Sequence, residues 1–113
     1  MTAVVLTPQV STRQPVEISS YPSSARRVTA TVTSQNTALT SGIRAITLHT
    51  RDAACRVAIG SGPQTANATS SIFLPQGSTF TFQTPLNGAA NIAVIRDTAA
   101  VVNGIIEITE LRS

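Results

Sequence analysis

The stretch HTRDAACRVAIGSG, from His49 to Gly62, holds the only histidine and the only cysteine of the chain, with Asp52 between them. A nucleophilic cysteine needs a lowered thiol pKa and a base within hydrogen-bond reach. The local pattern argues against that pairing. Cys55 shares its parity with Val57 and Ile59, so on a strand its side chain points into a core, where a thiol packs as a small hydrophobe. His49 shares its parity with Thr47 and faces away from Ile46 and Leu48. The spacing therefore predicts an inert, buried Cys55 and a histidine on the outer face of its own strand.

The remaining chemistry-bearing residues are sparse. One histidine, one cysteine and five carboxylates show no spacing that gathers three or four metal ligands. Glu107 and Glu110 differ in parity along one strand and cannot form a carboxylate pair on one face. Asp97 follows Arg96 at a strand end and reads as a turn residue or a solvent-exposed ion pair. IGSGPQT lacks the lysine and the following helix of a phosphate cradle and reads as a turn. Asn67-Ala68-Thr69 has the glycosylation pattern without a secretory signal. The expectation is a protein that is not an enzyme, with no catalytic residues, no cofactor and no metal.

Composition narrows the partners. The 113 residues carry a net charge of +3, and all eight cations are arginines, at 13, 26, 27, 44, 51, 56, 96 and 112. Only Arg26 and Arg27 adjoin, and four aromatics are too few for a base-stacking platform, so no nucleic-acid partner is expected. MTAVVLTPQVSTRQP has no basic n-region and its apolar run stops at Thr7-Pro8, so it reads as neither a signal peptide nor a membrane span. A single cysteine offers no internal disulfide, which suits a reducing compartment. Arginine, planar and weakly hydrated, favours protein interfaces.

Positioning these residues falls to strands. Apolar residues alternate with hydroxyls: Val28, Ala30 and Val32 against Thr29, Thr31 and Thr33; Ile46 and Leu48 against Thr47 and His49; Phe80 and Phe82 inward against Thr79, Thr81 and Gln83. Arg44 reads as a strand-end residue. Further strands are expected over 15–20, 55–60, 70–74, 91–97 and 104–111, separated by turn formers at Gly60-Ser61-Gly62-Pro63, Pro75-Gln76-Gly77, Asn87-Gly88 and Asn103-Gly104. NIAVIR is apolar on both faces, which places it centrally or at an interface. The fold class expected is all-β, an antiparallel β-sandwich or jelly-roll-like single domain of seven to nine strands over 25–113. Residues 1–24, rich in Ser, Pro and Gln, read as an extended N-terminal arm. Interface candidates are Arg13, Arg26, Arg27, Ile92, Val94, Ile95 and Arg96.

The order IRAITLHT, ACRVAIGSGPQTANATSSIFLPQGSTFTF, NIAVIRD and GIIEITEL resembles small tailed-bacteriophage virion proteins, in which a C-x-V-A-x-G strand precedes a Thr/Ser/Ala-rich loop, an L-P-x-G turn, an A-V-I-R-like strand and a terminal T-E-L. The resemblance covers roughly Ile43 to Leu111. It implies a structural part of the particle: a capsid decoration, or cement, protein that binds the outer shell and bridges major capsid protein subunits, or alternatively a tail or head-fibre accessory. It further implies a homo-oligomer, a trimer before a dimer, made in the host cytoplasm and located on the virion, with the arm and arginines gripping the shell.

Overall fold

The computed structural model describes residues 21–85 and 89–112. Eight strands are present among them: β1 (Tyr21–Ala30), β2 (Gln35–Ala38), β3 (Ala45–Arg51), β4 (Cys55–Ser61), β5 (Ile72–Leu74), β6 (Thr79–Gln83), β7 (Ala90–Arg96) and β8 (Gly104–Arg112). They form two four-stranded sheets, in the orders β1-β8-β3-β6 and β2-β7-β4-β5, with every pairing antiparallel. Only β4 and β5 are consecutive in the chain and neighbours in one sheet; each of the other connections crosses to the opposite sheet. That winding is the double Greek key of a jelly roll, so the expected all-β sandwich is the fold.

The alternation of apolar and hydroxyl side chains builds the layers. In β3 the burial alternates residue by residue, with Ile46, Leu48 and Thr50 inside. β8 alternates in step and turns Ile106, Ile108 and Glu110 inward. Cys55 and Val57 of β4, and Ile92 and Val94 of β7, fill the core from the other sheet, and Leu39 and Ile43 close one end. Full burial of each large aliphatic side chain stabilises the fold by about 1.5–3 kcal/mol. Gly104 begins β8 where a Cβ would lie 2.5 Å from Cys55 Sγ and 3.0 Å from Ala53 O, so this close approach of backbone to core admits no side chain.

NIAVIR resolves in an unexpected way. As expected it is a central strand, and Ile92 and Val94 face the core. Its outer face, Ala93 and Ile95, is roofed by the chain's own β4–β5 loop, through Ala66 and Ala68. That loop is latched along its length. Gln64 N donates to Asn36 Oδ1 at 2.8 Å, Ala66 N to Ser34 Oγ at 2.9 Å and Thr98 N to Ala68 O at 3.2 Å. Asn67 Oδ1 accepts from Thr69 N and Ser70 N, closing an Asx-type turn. The second apolar face thus needs no other molecule to cover it.

Other expectations are corrected. β1 ends at Ala30, and Val32 is 67% exposed rather than inward, because Thr31 Oγ1 accepts from Thr33 N and draws the chain into a turn. Tyr21 to Ser24 lie within β1, paired with β8, so the sandwich begins four residues before the expected arm boundary. β2 was not foreseen: QNTA has no apolar alternation, and it forms by pairing along β7. Phe80 has the inward parity of Leu48, its cross-strand partner, yet is 42% exposed because β6 is the outermost strand of its sheet. Arg44 precedes β3, as read. The strand expected over 15–20 and the turn at Asn87-Gly88 fall outside the described residues.

Candidate functional site

Cys55 and His49 are separated by the architecture. Cys55 is fully buried on β4, its Sγ 3.4 Å from Ala53 O. Burial pushes its thiol up to about 11, with the Asp97 charge adding to the rise, so at neutral pH it is a protonated packing group. His49 lies on the outer face of the opposite sheet, its Nδ1 2.8 Å from Thr79 Oγ1. The pair cannot meet, as its parity indicated.

The acids divide as their parity foretold, but into different environments. Glu107 lies on the outer face, 3.1 Å from Arg27 and 3.5 Å from Arg51. Glu110 is completely buried. Thr40 donates to it from N at 2.8 Å and from Oγ1 at 2.6 Å, Arg26 Nη2 donates at 3.0 Å, and Ser24 Oγ also donates. Burial alone would raise the Glu110 pKa. The donors from Ser24 and Thr40 and the Arg26 charge outweigh that and hold it below the usual carboxylate range.

Asp97 pairs with Arg56, at 2.7 Å from Nε, and not with its neighbour Arg96. It is largely buried and accepts from Ala99 N at 3.0 Å, capping the β7–β8 turn. The Arg56 hydrogen bond first, then that of Ala99 N, holds its pKa below the ordinary value. Arg56 also donates to Ser71 O at 2.9 Å and lies over the Phe73 ring at 4.9 Å. It is an organising residue that reading along the chain missed, although its parity opposite Cys55 and Val57 marked it as outward-facing.

The interface candidates do not come together. Arg13 lies outside the described residues. Ile92 and Val94 are in the core and Ile95 lies under the β4–β5 loop, so none of the three presents a side chain on the surface. Arg26 is a strut between strands, bonded to Ala38 O, Thr40 Oγ1 and Glu110. Arg96 Nη1 donates to Asn103 Oδ1 at 3.0 Å and braces the β7–β8 loop. Arg27 alone of the seven is both described and largely exposed, at the rim of a different surface.

That surface is the outer face of the β1-β8-β3-β6 sheet, which no described loop covers in the way that 62–71 covers the other. Its cross-strand rows run Ala25-Thr109-Thr47-Thr81, then Arg27-Glu107-His49-Thr79, then Thr29-Ile105-Arg51. Thr47 Oγ1 and Thr81 Oγ1 are 3.0 Å apart, so neighbouring hydroxyls satisfy one another. The face is hydroxyl-rich, with Arg27 and Arg51 around a single acid. It suits contact with another protein surface through side chains already held in place. A cavity of about 80 Å³ beside Thr40, Arg44 and Pro85 falls well below the roughly 300 Å³ at which small-molecule sites begin. Among the described residues no cluster of three or more His, Cys, Asp or Glu side chains is placed to hold a metal ion, and no helix is long and apolar enough to cross a membrane.

The described residues form an eight-stranded jelly-roll sandwich with one sheet face roofed by its own loop and the other covered by no described loop. In comparisons with known proteins, no family model, curated protein or solved structure matches the chain.

Proposed function

We propose that the protein is a structural, non-catalytic component of a tailed-bacteriophage particle, a decoration protein that binds the outer capsid shell and bridges major capsid protein subunits. The observation that supports this most is the contrast between the two sheet faces. One is roofed by the chain's own loop, and on the other the described residues leave a hydroxyl-rich platform carrying Arg27 and Arg51. The resemblance over Ile43 to Leu111 points the same way, and the double Greek key is an arrangement used by viral coat domains, an analogy of fold alone. The buried Cys55 thiol and the fully engaged Glu110 serve packing and structure.

In this reading the partners are the major capsid protein and further copies of the chain, with no nucleic acid and no membrane, and the site of action is the virion surface. The open face and the N-terminal segment take the shell contacts; Arg26, which holds Glu110, does not. Self-association no longer draws on NIAVIR, whose second face is already covered. Locating and counting the protein on intact particles tests the proposal. Hundreds of copies on the shell are expected, and Arg27→Ala with Arg51→Ala should lower occupancy on purified shells. A few to some dozens of copies, confined to the tail or a fibre, would overturn it in favour of a tail or head-fibre accessory.

A further inference from the structure

The four sheet edges are not equally protected. β2 and β5 are short, at four and three residues. β1 carries Pro22, which has no N–H to offer, and the charges of Arg26 and Arg27. Short strands, proline and charge are the usual devices that stop one sheet from pairing with another. β6, TFTFQ, has no proline and no charge, and among the described residues nothing pairs with its outer side.

The hydrogen-bond phase of β6 is known from its ends. Thr84 N donates to Arg44 O, and Thr50 N donates to Ser78 O, so the even-numbered residues of this strand turn their backbone groups toward β3. In an antiparallel ladder the intervening residues point theirs away. Thr79, Thr81 and Gln83 therefore present N–H and C=O groups to the open side. Along the same side the core is incompletely closed, with Phe80 42% and Ile72 46% exposed.

The geometry points to a second copy of this chain as the occupant of that edge, paired β6 to β6 about a two-fold axis through Thr81. The segment is self-complementary in this register. Thr81 meets Thr81 of the other copy, Thr79 meets Gln83 and Gln83 meets Thr79, all three pairs joining residues whose backbone groups point outward. Each such pair exchanges two hydrogen bonds. Phe80 falls opposite Phe82 of the second copy, so two aromatic cross-strand pairs form on the inner face, where the half-exposed Phe80 ring needs cover. With the axis normal to the sheet, both inner faces stay on the same side, and the open margins of the two cores abut. No charge on 79–83 opposes the approach, and the contact is isologous and closes at two copies. The pairing does not rest on the virion reading.

Sedimentation of the full chain tests the pairing, with circular dichroism as a check on folding. The wild type is expected to be a dimer. Thr81→Pro removes an outward N–H without breaking the β3 ladder, and Thr81→Arg sets two like charges opposite each other at the axis. Both are expected to be monomers at concentrations where the wild type is dimeric, while Thr109→Arg, on the open face but away from the edge, remains a dimer. A monomeric wild type, a trimer, or a dimer that survives both Thr81→Pro and Thr81→Arg would overturn the inference.

Discussion

Glu110→Gln tests how the sandwich tolerates a fully buried carboxylate. The carboxylate accepts from Ser24 Oγ, Thr40 N, Thr40 Oγ1 and Arg26 Nη2, tying β1 and the β2–β3 loop to β8. The amide keeps the shape, and its NH2 can stand at the Oε1 position and donate to the Ser24 and Thr40 hydroxyls, which rotate to accept, while its oxygen keeps Thr40 N and Arg26; what is lost is the negative charge opposite Arg26. Removing one member of a buried ion pair costs roughly 3–5 kcal/mol. Arg26 retains 34% exposure and recovers part of its solvation, so about 2–4 kcal/mol is the expected loss. For a domain of this size 1 kcal/mol moves Tm by roughly 4–8 °C, and calorimetry at pH 7 should show a fall of at least about 8 °C. Glu107→Gln, which breaks only the exposed pairs with Arg27 and Arg51, should cost less than about 1 kcal/mol. The acid limb gives a second reading. Glu110 has a folded pKa below its unfolded one, so its contribution is complete above the unfolded value and disappears as pH falls through the folded value. Wild-type stability should be level from pH 7 to about 5 and decline below that, and the Gln variant should decline less steeply, with Asp97 supplying the slope that remains. A Gln variant within about 0.5 kcal/mol of wild type, with an unchanged acid limb, would refute the reasoning.

Thr50 is fully buried and its Oγ1 has no hydrogen-bond partner among the described residues, so Thr50→Val should stabilise the protein by about 1 kcal/mol in urea unfolding; a destabilised variant would mean that the hydroxyl is satisfied. Gly104→Ala should cost about 1–3 kcal/mol by driving a methyl into Cys55 Sγ. Adding Cys55→Ala should recover part of that loss, so a double-mutant cycle with no coupling would contradict the contact. Cys55→Ala alone should shift stability by about 1 kcal/mol, as small core changes do. In the folded wild type Cys55 should react with a thiol reagent only as fast as the protein opens, and rapid labelling would contradict its burial.

Much of this structure was legible in the chain because β-strands write their environment with a period of two. The inward parity of Ile46 and Leu48, the differing faces of Glu107 and Glu110, the burial of Cys55 and the separation of His49 from it all follow from alternation on a strand, a local property. The candidate sites were less legible. Parity alone could not reveal that Glu110 would be solvated by Ser24 and Thr40, because those residues lie 86 and 70 positions away. The bond of Asp97 to Arg56 rather than to adjacent Arg96 has the same origin: a strand turns neighbours to opposite faces, and antiparallel pairing sets Cys55 beside Arg96. The two apolar faces of NIAVIR showed that both would be covered without showing by what. Only the tertiary winding decided that loop 62–71 folds over Ala93 and Ile95, and that Phe80, inward by pattern, sits at a sheet edge where its ring stays half in water. Alternation records which face of a strand is buried; strand order, which rests on contacts between distant segments, decides what lies against it.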